Sequence, residues 1–254
     1  MTTPLRIQLG IDIDPILPLG RTGAGEATLS WRRALVGSCI DALDNGADFI
    51  SITHSTRGHA AEALSMLTPM LGNRLELRIT AADGVQNLPH GRIERLCLPL
   101  CALDSPQAGE RLKARVNELF IAVSPTMSTI EQAYRSGADG VLIDSRPFAY
   151  AEGDERELAY NALANAIDFA CERDLTVHVH GGLASRSAEA AASIGGVSAA
   201  VVGASLLSRA LHFGIADATR SLKKTIVDAQ NAGLVDAALF GHGCECACDH
   251  SEHE

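Results

Sequence analysis

No apolar run in this chain of 254 residues approaches the roughly 20 that a membrane-spanning helix needs, so no span is expected. Basic charge is also scarce. Against 31 acidic residues stand 21 Lys and Arg, a formal net charge of −10, which argues against a nucleic-acid or anionic-membrane partner, since both need basic patches. Met1-Thr2-Thr3-Pro4 carries neither a basic start nor an apolar signal core, and a cytoplasmic location is the expectation. The seven cysteines do not form a secreted disulfide framework. Cys39, Cys97, Cys101 and Cys171 are scattered among apolar neighbours and read as buried free thiols. Cys244, Cys246 and Cys248 crowd into the last eleven residues. A Gly-x-Gly-x-x-Gly fingerprint is missing too: Gly20-Arg21-Thr22-Gly23-Ala24-Gly25 has the wrong spacing, which argues against an open dinucleotide-binding sheet.

What is present is a regular alternation of β-rich and amphipathic stretches. Candidate strands cover 5–13, 48–53, 75–80, 92–98, 118–123, 139–144, 175–180 and 198–202. Helical patterns lie near 28–45, 59–72, 103–116, 126–136, 154–172, 185–194 and 204–232; the third crossover, 81–91, has room for about one turn. Asn45-Gly46-Ala47-Asp48 and Ser136-Gly137-Ala138-Asp139 each lead from a helix into a strand, with glycine as the helix C′ residue. Eight strands, each followed by a helix or turn, predict one α/β domain, a (β/α)8 TIM barrel over 1–235, and a flexible Cys/His-rich tail over 236–254.

In such a barrel the active site gathers at the C-terminal ends of the strands. Asp12 and Asp14, two apart, point to one side and end the first strand. The second strand runs into His54, Arg57 and His59, an acid/base and anion-binding group or a plain polar loop. Glu76, Arg78 and Thr80 share a face of the third strand, as a functional acid or an internal Glu–Arg ion pair. Asp144 ends the sixth strand. Val177-His178-Val179-His180-Gly181-Gly182 sets two imidazoles on one face before a glycine pair that lets the backbone approach a ligand. Gly203, Ala204 and Ser205 open a helix after the last strand, a corner suited to phosphate. In the tail, Cys244, Cys246, Cys248 and His250 offer donors for a divalent or soft metal, although Cys-x-Cys-x-Cys is not zinc-finger spacing.

Taken in order, these motifs resemble the pyridoxine 5′-phosphate synthase family of vitamin B6 biosynthesis across most of residues 5–225. Gly10-Ile11-Asp12-Ile13-Asp14 is similar to that family's Gly-Val-Asn-Ile-Asp-His, Gly46 through His54 to its Gly-Ala-Asp-Gly-Ile-Thr-Val-His, and His180-Gly181-Gly182-Leu183 to its Gly-His-Gly-Leu. Val202-Gly203-Ala204 is similar to its Ile-Gly-His, and Leu75-Glu76-Leu77 matches the strand of its glutamate base. The resemblance implies a transferase that condenses 1-deoxy-D-xylulose 5-phosphate with 3-amino-2-oxopropyl phosphate, without cofactor and as a homo-oligomer. It casts Glu76, His180 and His54 as proton-transfer groups, the two histidines each through a one-residue shift. Asp12, Asp14, Arg21, Arg57, His59, Asp144, Gly181, Gly182, Gly203 and Ala204 are cast as substrate-binding. Departures stand at Asp12 for asparagine, Pro15 for histidine, Thr53 at the unshifted histidine position and Ala204 for histidine. The alternatives are a paralogue acting on another phosphorylated substrate, a metal-dependent lyase or hydrolase using Asp12, Asp14, Glu76, His178 and His180, and a metal-binding protein acting through its tail.

Overall fold

Strands such as Phe49-Ile50-Ser51-Ile52-Thr53 are apolar at most positions because each is covered on both faces, by helices outside and by other strands' side chains within. The computed structural model describes residues 6–19, 26–55, 58–80, 85–86, 88–89, 91–103 and 108–240. Strands β1 (Gln8–Asp12), β2 (Phe49–Thr53), β3 (Leu75–Arg78), β4 (Ile93–Pro99), β5 (Val116–Val123), β6 (Gly140–Asp144), β7 (Thr176–His180) and β8 (Val197–Val202) close in sequence order into one parallel barrel. Around it run α1 (Glu26–Asp44), α2 (Gly58–Leu71), α3 (Ala108–Lys113), α4 (Met127–Arg135), α5 (Arg146–Tyr150), α6 (Gly153–Cys171), α7 (Ser185–Ala192), α8 (Ala204–Phe213) and α9 (Ile215–Phe240). The expected (β/α)8 barrel is therefore the fold. Among the described residues no helix is long and apolar enough to cross a membrane.

Four expectations need adjustment. The helix expected over 103–116 shrinks to α3, because β5 starts at Val116 and pairs from there with β4. The stretch 204–232 is two helices, broken at Gly214 with φ of 80°. α9 runs to Phe240, past the expected boundary at 235, while residues 241–254 lie outside the described residues. Cys39 and Cys97 are buried, but Cys101 sits exposed in a 3-10 turn after β4 and Cys171 is half-buried.

The two Gly-Ala-Asp segments do the same mechanical work in each half of the barrel. Asp48 accepts a hydrogen bond from the Leu9 amide (2.6 Å) and returns one to the Leu9 carbonyl (2.8 Å). Asp139 repeats this on Leu119, at 2.9 and 2.8 Å. Each carboxylate also meets a lysine, Lys223 at 2.6 Å and Lys113 at 2.8 Å. Lys223 is buried and spends a second hydrogen bond on the Ile7 carbonyl (2.6 Å), so α9 holds the entry to β1. Replacing Lys223 with Met keeps the stem's packing but orphans that carbonyl, and should cost about 1–3 kcal/mol. Lys113→Met, at the more exposed pair, should cost less than about 1 kcal/mol. Urea midpoints at unchanged m-value check the contrast; equal shifts would contradict it.

The register defines what lies at each depth of the barrel. Each strand's inward residue pairs with one that sits half a pleat lower on the next strand, so alternate strands share a layer. Asp12, Arg78, Ala122 and His180 form one layer near the C-terminal end of the barrel. Ser51, Cys97, Leu142 and Val201 lie beneath it, then Gly10, Glu76, Phe120 and His178, then Phe49, Arg95, Gly140 and Ala199. Glycine at 10 and 140 leaves room for aromatic rings: an added Cβ would fall 2.4 Å from the Phe49 ring at Gly10 and 2.4 Å from that of Phe120 at Gly140.

Candidate active site

β1 ends at Asp12, and Asp14 opens the 3-10 turn Asp14–Leu19. The chain bends there, yet both carboxylates converge on one cation. Arg78 Nη2 donates to Asp12 Oδ1 at 2.7 Å and to Asp14 Oδ2 at 2.6 Å. Asp14 is further engaged by the Thr53 amide (2.8 Å) and the Thr53 hydroxyl (2.5 Å), and Asp12 Oδ1 accepts the Asp14 amide at 3.0 Å. Asp14 is thus consumed in holding Arg78 and the end of β2. Asp12 keeps its Oδ2 unshared among the described residues, and burial pushes its carboxyl above the usual range. The Glu–Arg ion pair considered for β3 does not form; Arg78 turns to β1 instead.

Above this layer opens a cavity of about 360 Å³. Its floor is Asp12, Arg78 and His180. Two walls are backbone, one from Gly181 and Gly182 after β7 and the other from Gly203, Ala204 and Ser205 at the start of α8. The two walls are tied together by the Ser205 hydroxyl, which donates to the Leu183 carbonyl at 2.6 Å. Gly181 and Gly182 adopt φ of 94° and 68°. An added Cβ would fall 2.7 Å from Asp144 Oδ1 at Gly181 and 2.8 Å from the Tyr150 ring at Gly182. The first turn of α8 is part of this lining, and first-turn amides of a helix have no helical acceptors, which makes them the usual donors for an anion.

His180 pairs in register with Asp144, and the Ser145 hydroxyl fixes its carbonyl at 2.8 Å. Burial, reinforced by the Arg78 charge, pushes the imidazole down to about 4. It is neutral at physiological pH and able to take a proton. Asp144 is occupied by Arg146, which contacts it at 2.6–3.0 Å through side chain and amide.

Glu76 lies elsewhere. It is 1% exposed in the third layer, with Oε1 accepting from the Ser51 hydroxyl at 2.7 Å and Oε2 3.7 Å from His178 Nδ1. That gap exceeds a hydrogen bond, and neither atom has another partner among the described residues. Burial pushes the carboxyl up, but His178, Ser51 and Arg95 outweigh it and hold Glu76 below the usual range. His178 stacks between the Phe49 and Phe120 rings. Glu76 belongs to one of the barrel's packing layers, with Arg78 above it, and is not among the residues that line the cavity. The five donors of the metal-enzyme alternative are likewise split between layers. Among the described residues no group of three His, Cys, Asp or Glu is placed to hold a metal ion.

His54 follows β2, its amide donating to the Arg78 carbonyl at 2.7 Å, and it does not line the cavity. His59, on the first turn of α2, packs its ring 5.8 Å from that of Trp31 on α1, away from the cavity. Arg21, Arg57 and the tail donors Cys244, Cys246, Cys248 and His250 lie outside the described residues. Arg78, Tyr150 and Ser205 are cavity residues that motif reading passes over.

The profile of the family described as "Pyridoxal phosphate biosynthesis protein PdxJ" matches residues 106–228, the part of the chain that supplies the glycine walls. Pyridoxine 5′-phosphate synthase of Citrifermentans bemidjiense is 26% identical over 239 residues, covering 86% of this chain and 98% of that protein. That of Coxiella burnetii is 26% identical over 253 residues, covering 88% and 100%. The chain is thus similar to the pyridoxine 5′-phosphate synthase family along most of its length. Of solved structures, the BexX/CysO complex of Amycolatopsis orientalis superposes with a TM-score of 0.55 at 16% identity, covering 92% of this chain and 91% of that one. That likeness extends to the fold. At the cavity floor of this chain Arg78 ties down both Asp12 and Asp14.

Proposed function

We propose that this enzyme condenses 1-deoxy-D-xylulose 5-phosphate with 3-amino-2-oxopropyl phosphate by acid–base catalysis in the β7–β8 cavity. The observation that carries the reading is the pairing of a neutral, cavity-facing imidazole with a backbone anion cradle at the end of the barrel. A phosphate would rest on the amides of Gly181–Gly182 and of the α8 N-terminus. Asp12 Oδ2 accepts from the substrate's amine or hydroxyl. His180 takes the proton released as the amine becomes an imine and returns it to the departing oxygen. Asp12 and Asp14 together outweigh Arg78 in charge, so the second substrate's phosphate is expected at the cavity mouth rather than on the floor. The same reading carries over from the family a cytoplasmic enzyme and a homo-oligomer; exposed Leu211 and Phe213 on α8 suit an interface, and a monomer mass by light scattering would remove that part.

Ala204→Asp tests the cradle. Aspartate is favourable in a helix's first turn, so folding should be preserved while the cavity gains a negative charge. Inorganic phosphate and 1-deoxy-D-xylulose 5-phosphate should each bind about tenfold or more weakly in calorimetry, the size of one added like charge at close range. Unchanged affinity for both would overturn the placement.

A further inference from the structure

Arg78 stands at the centre of the floor with donors to spare. Its Nη2 is shared by Asp12 and Asp14, whereas Nε is buried without a partner and Nη1 makes no hydrogen bond among the described residues. Both acids hold the guanidinium from the β1 side, so the side chain is fixed before any ligand arrives. His180 lies in the same layer, on the opposite side of the barrel axis, and the two residues line one cavity. Glu76, the acid that the family resemblance would send to the substrate, is separated from the cavity by this layer.

A fixed cation beside a neutral base suits a particular reaction partner. The floor's net charge is negative, which disfavours a phosphate or carboxylate directly on Arg78. A neutral carbonyl oxygen pays no such repulsion, and it gains charge as an amine attacks its carbon. Donors already aimed at that oxygen favour the transition state over the bound ketone.

We propose that Arg78 is a catalytic residue of this enzyme, binding the ketone oxygen of the phosphorylated substrate and stabilising the alkoxide formed on amine attack. The proposal rests on the condensation reading above. In the step, the amine nitrogen's lone pair forms the C–N bond and the C=O π pair moves to oxygen, where Arg78 donates hydrogen bonds to it. The surplus proton on nitrogen passes to His180 and then to the oxygen, leaving a neutral carbinolamine. No oxidant or further reactant is required.

The test uses 1-deoxy-D-xylulose 5-phosphate labelled with ¹³C at its carbonyl and bound to the full-length enzyme. In the wild type the bound carbonyl resonance should move downfield from its free position, as expected for a polarised C=O. In R78M the ligand should still bind through its phosphate, but the downfield displacement should vanish and kcat should fall by about 10²–10³-fold with a smaller change in KM. R78K should recover part of both. Because Met at 78 leaves Asp12 and Asp14 facing each other without a cation, R78M/D14N, which removes one of the two charges, supplies a foldable form with the same predicted loss of displacement. A displacement retained in folded R78M or R78M/D14N overturns the role of Arg78 alone. If the wild type binds inorganic phosphate but not the ketone, the substrate reading falls, and this proposal with it.

Discussion

Replacing His180 by asparagine is expected to lower turnover by about 10²–10⁴-fold, the range for loss of a positioned acid–base group, while leaving phosphate affinity nearly unchanged. Asparagine keeps a polar side chain of similar reach but cannot shuttle a proton. The pH dependence sharpens the expectation. The imidazole titrates at about 4 in the folded enzyme, because burial and Arg78 disfavour its cationic form. The acid limb of kcat/KM should therefore fall near pH 4 rather than near the ordinary histidine value of about 6.5. The same displacement affects stability. Between about pH 6.5 and 4 the unfolded chain binds more protons at this residue than the folded one. The stability it contributes is complete above about 6.5 and is lost as pH falls toward 4. H180N should lack that component, so its acid unfolding curve should be shallower in this window. An acid limb unchanged in a residually active H180N would assign the titration to another group.

Glu76→Ala is expected to act on stability rather than on substrate. Removing the carboxylate strands the Ser51 hydroxyl in a dry layer, takes away the carboxylate facing His178 and opens a void beneath the floor. Losing that hydrogen bond together with the packing of a buried side chain costs about 2–5 kcal/mol, a large share of the stability of an ordinary domain. Glu76→Gln is the informative companion. It preserves volume and an acceptor for Ser51, so the loss should be nearer 1–2 kcal/mol. Its turnover should stay within about tenfold of wild type, far from the loss expected for a group that exchanges protons with substrate. Denaturant midpoints and kcat measured on the same preparations separate the two effects. A fully folded E76Q without turnover would place the carboxylate at the reaction after all.

The contrast between these residues shows what could be read from the chain. Period-two alternation correctly set His178 and His180 on one face of β7, and Glu76 and Arg78 on one face of β3. It could not reveal that two residues along a strand mean two positions along the barrel axis, with one lining the cavity and the other packed below it. A clue was available: Glu76 is the second residue of β3, whereas Arg78 is the last, and the site forms at strand ends. Arg78 itself was hidden because its partners come from β1, and only barrel closure through β2 brings the three together. Thr53 was equally silent. Its side chain and amide serve Asp14, while His54 falls past the strand's end. By contrast, the glycine walls were legible, since paired glycines after a strand and Gly-Ala-Ser before a helix carry backbone information directly.

The most direct measurement is a single-turnover reaction with enzyme in excess over 1-deoxy-D-xylulose 5-phosphate and 3-amino-2-oxopropyl phosphate, quenched and quantified for inorganic phosphate and pyridoxine 5′-phosphate. The wild type should release phosphate and form the pyridoxine product in equal amounts, with H180N and R78M both strongly slowed. Absence of product from a folded wild-type enzyme that binds both substrates would contradict the assignment.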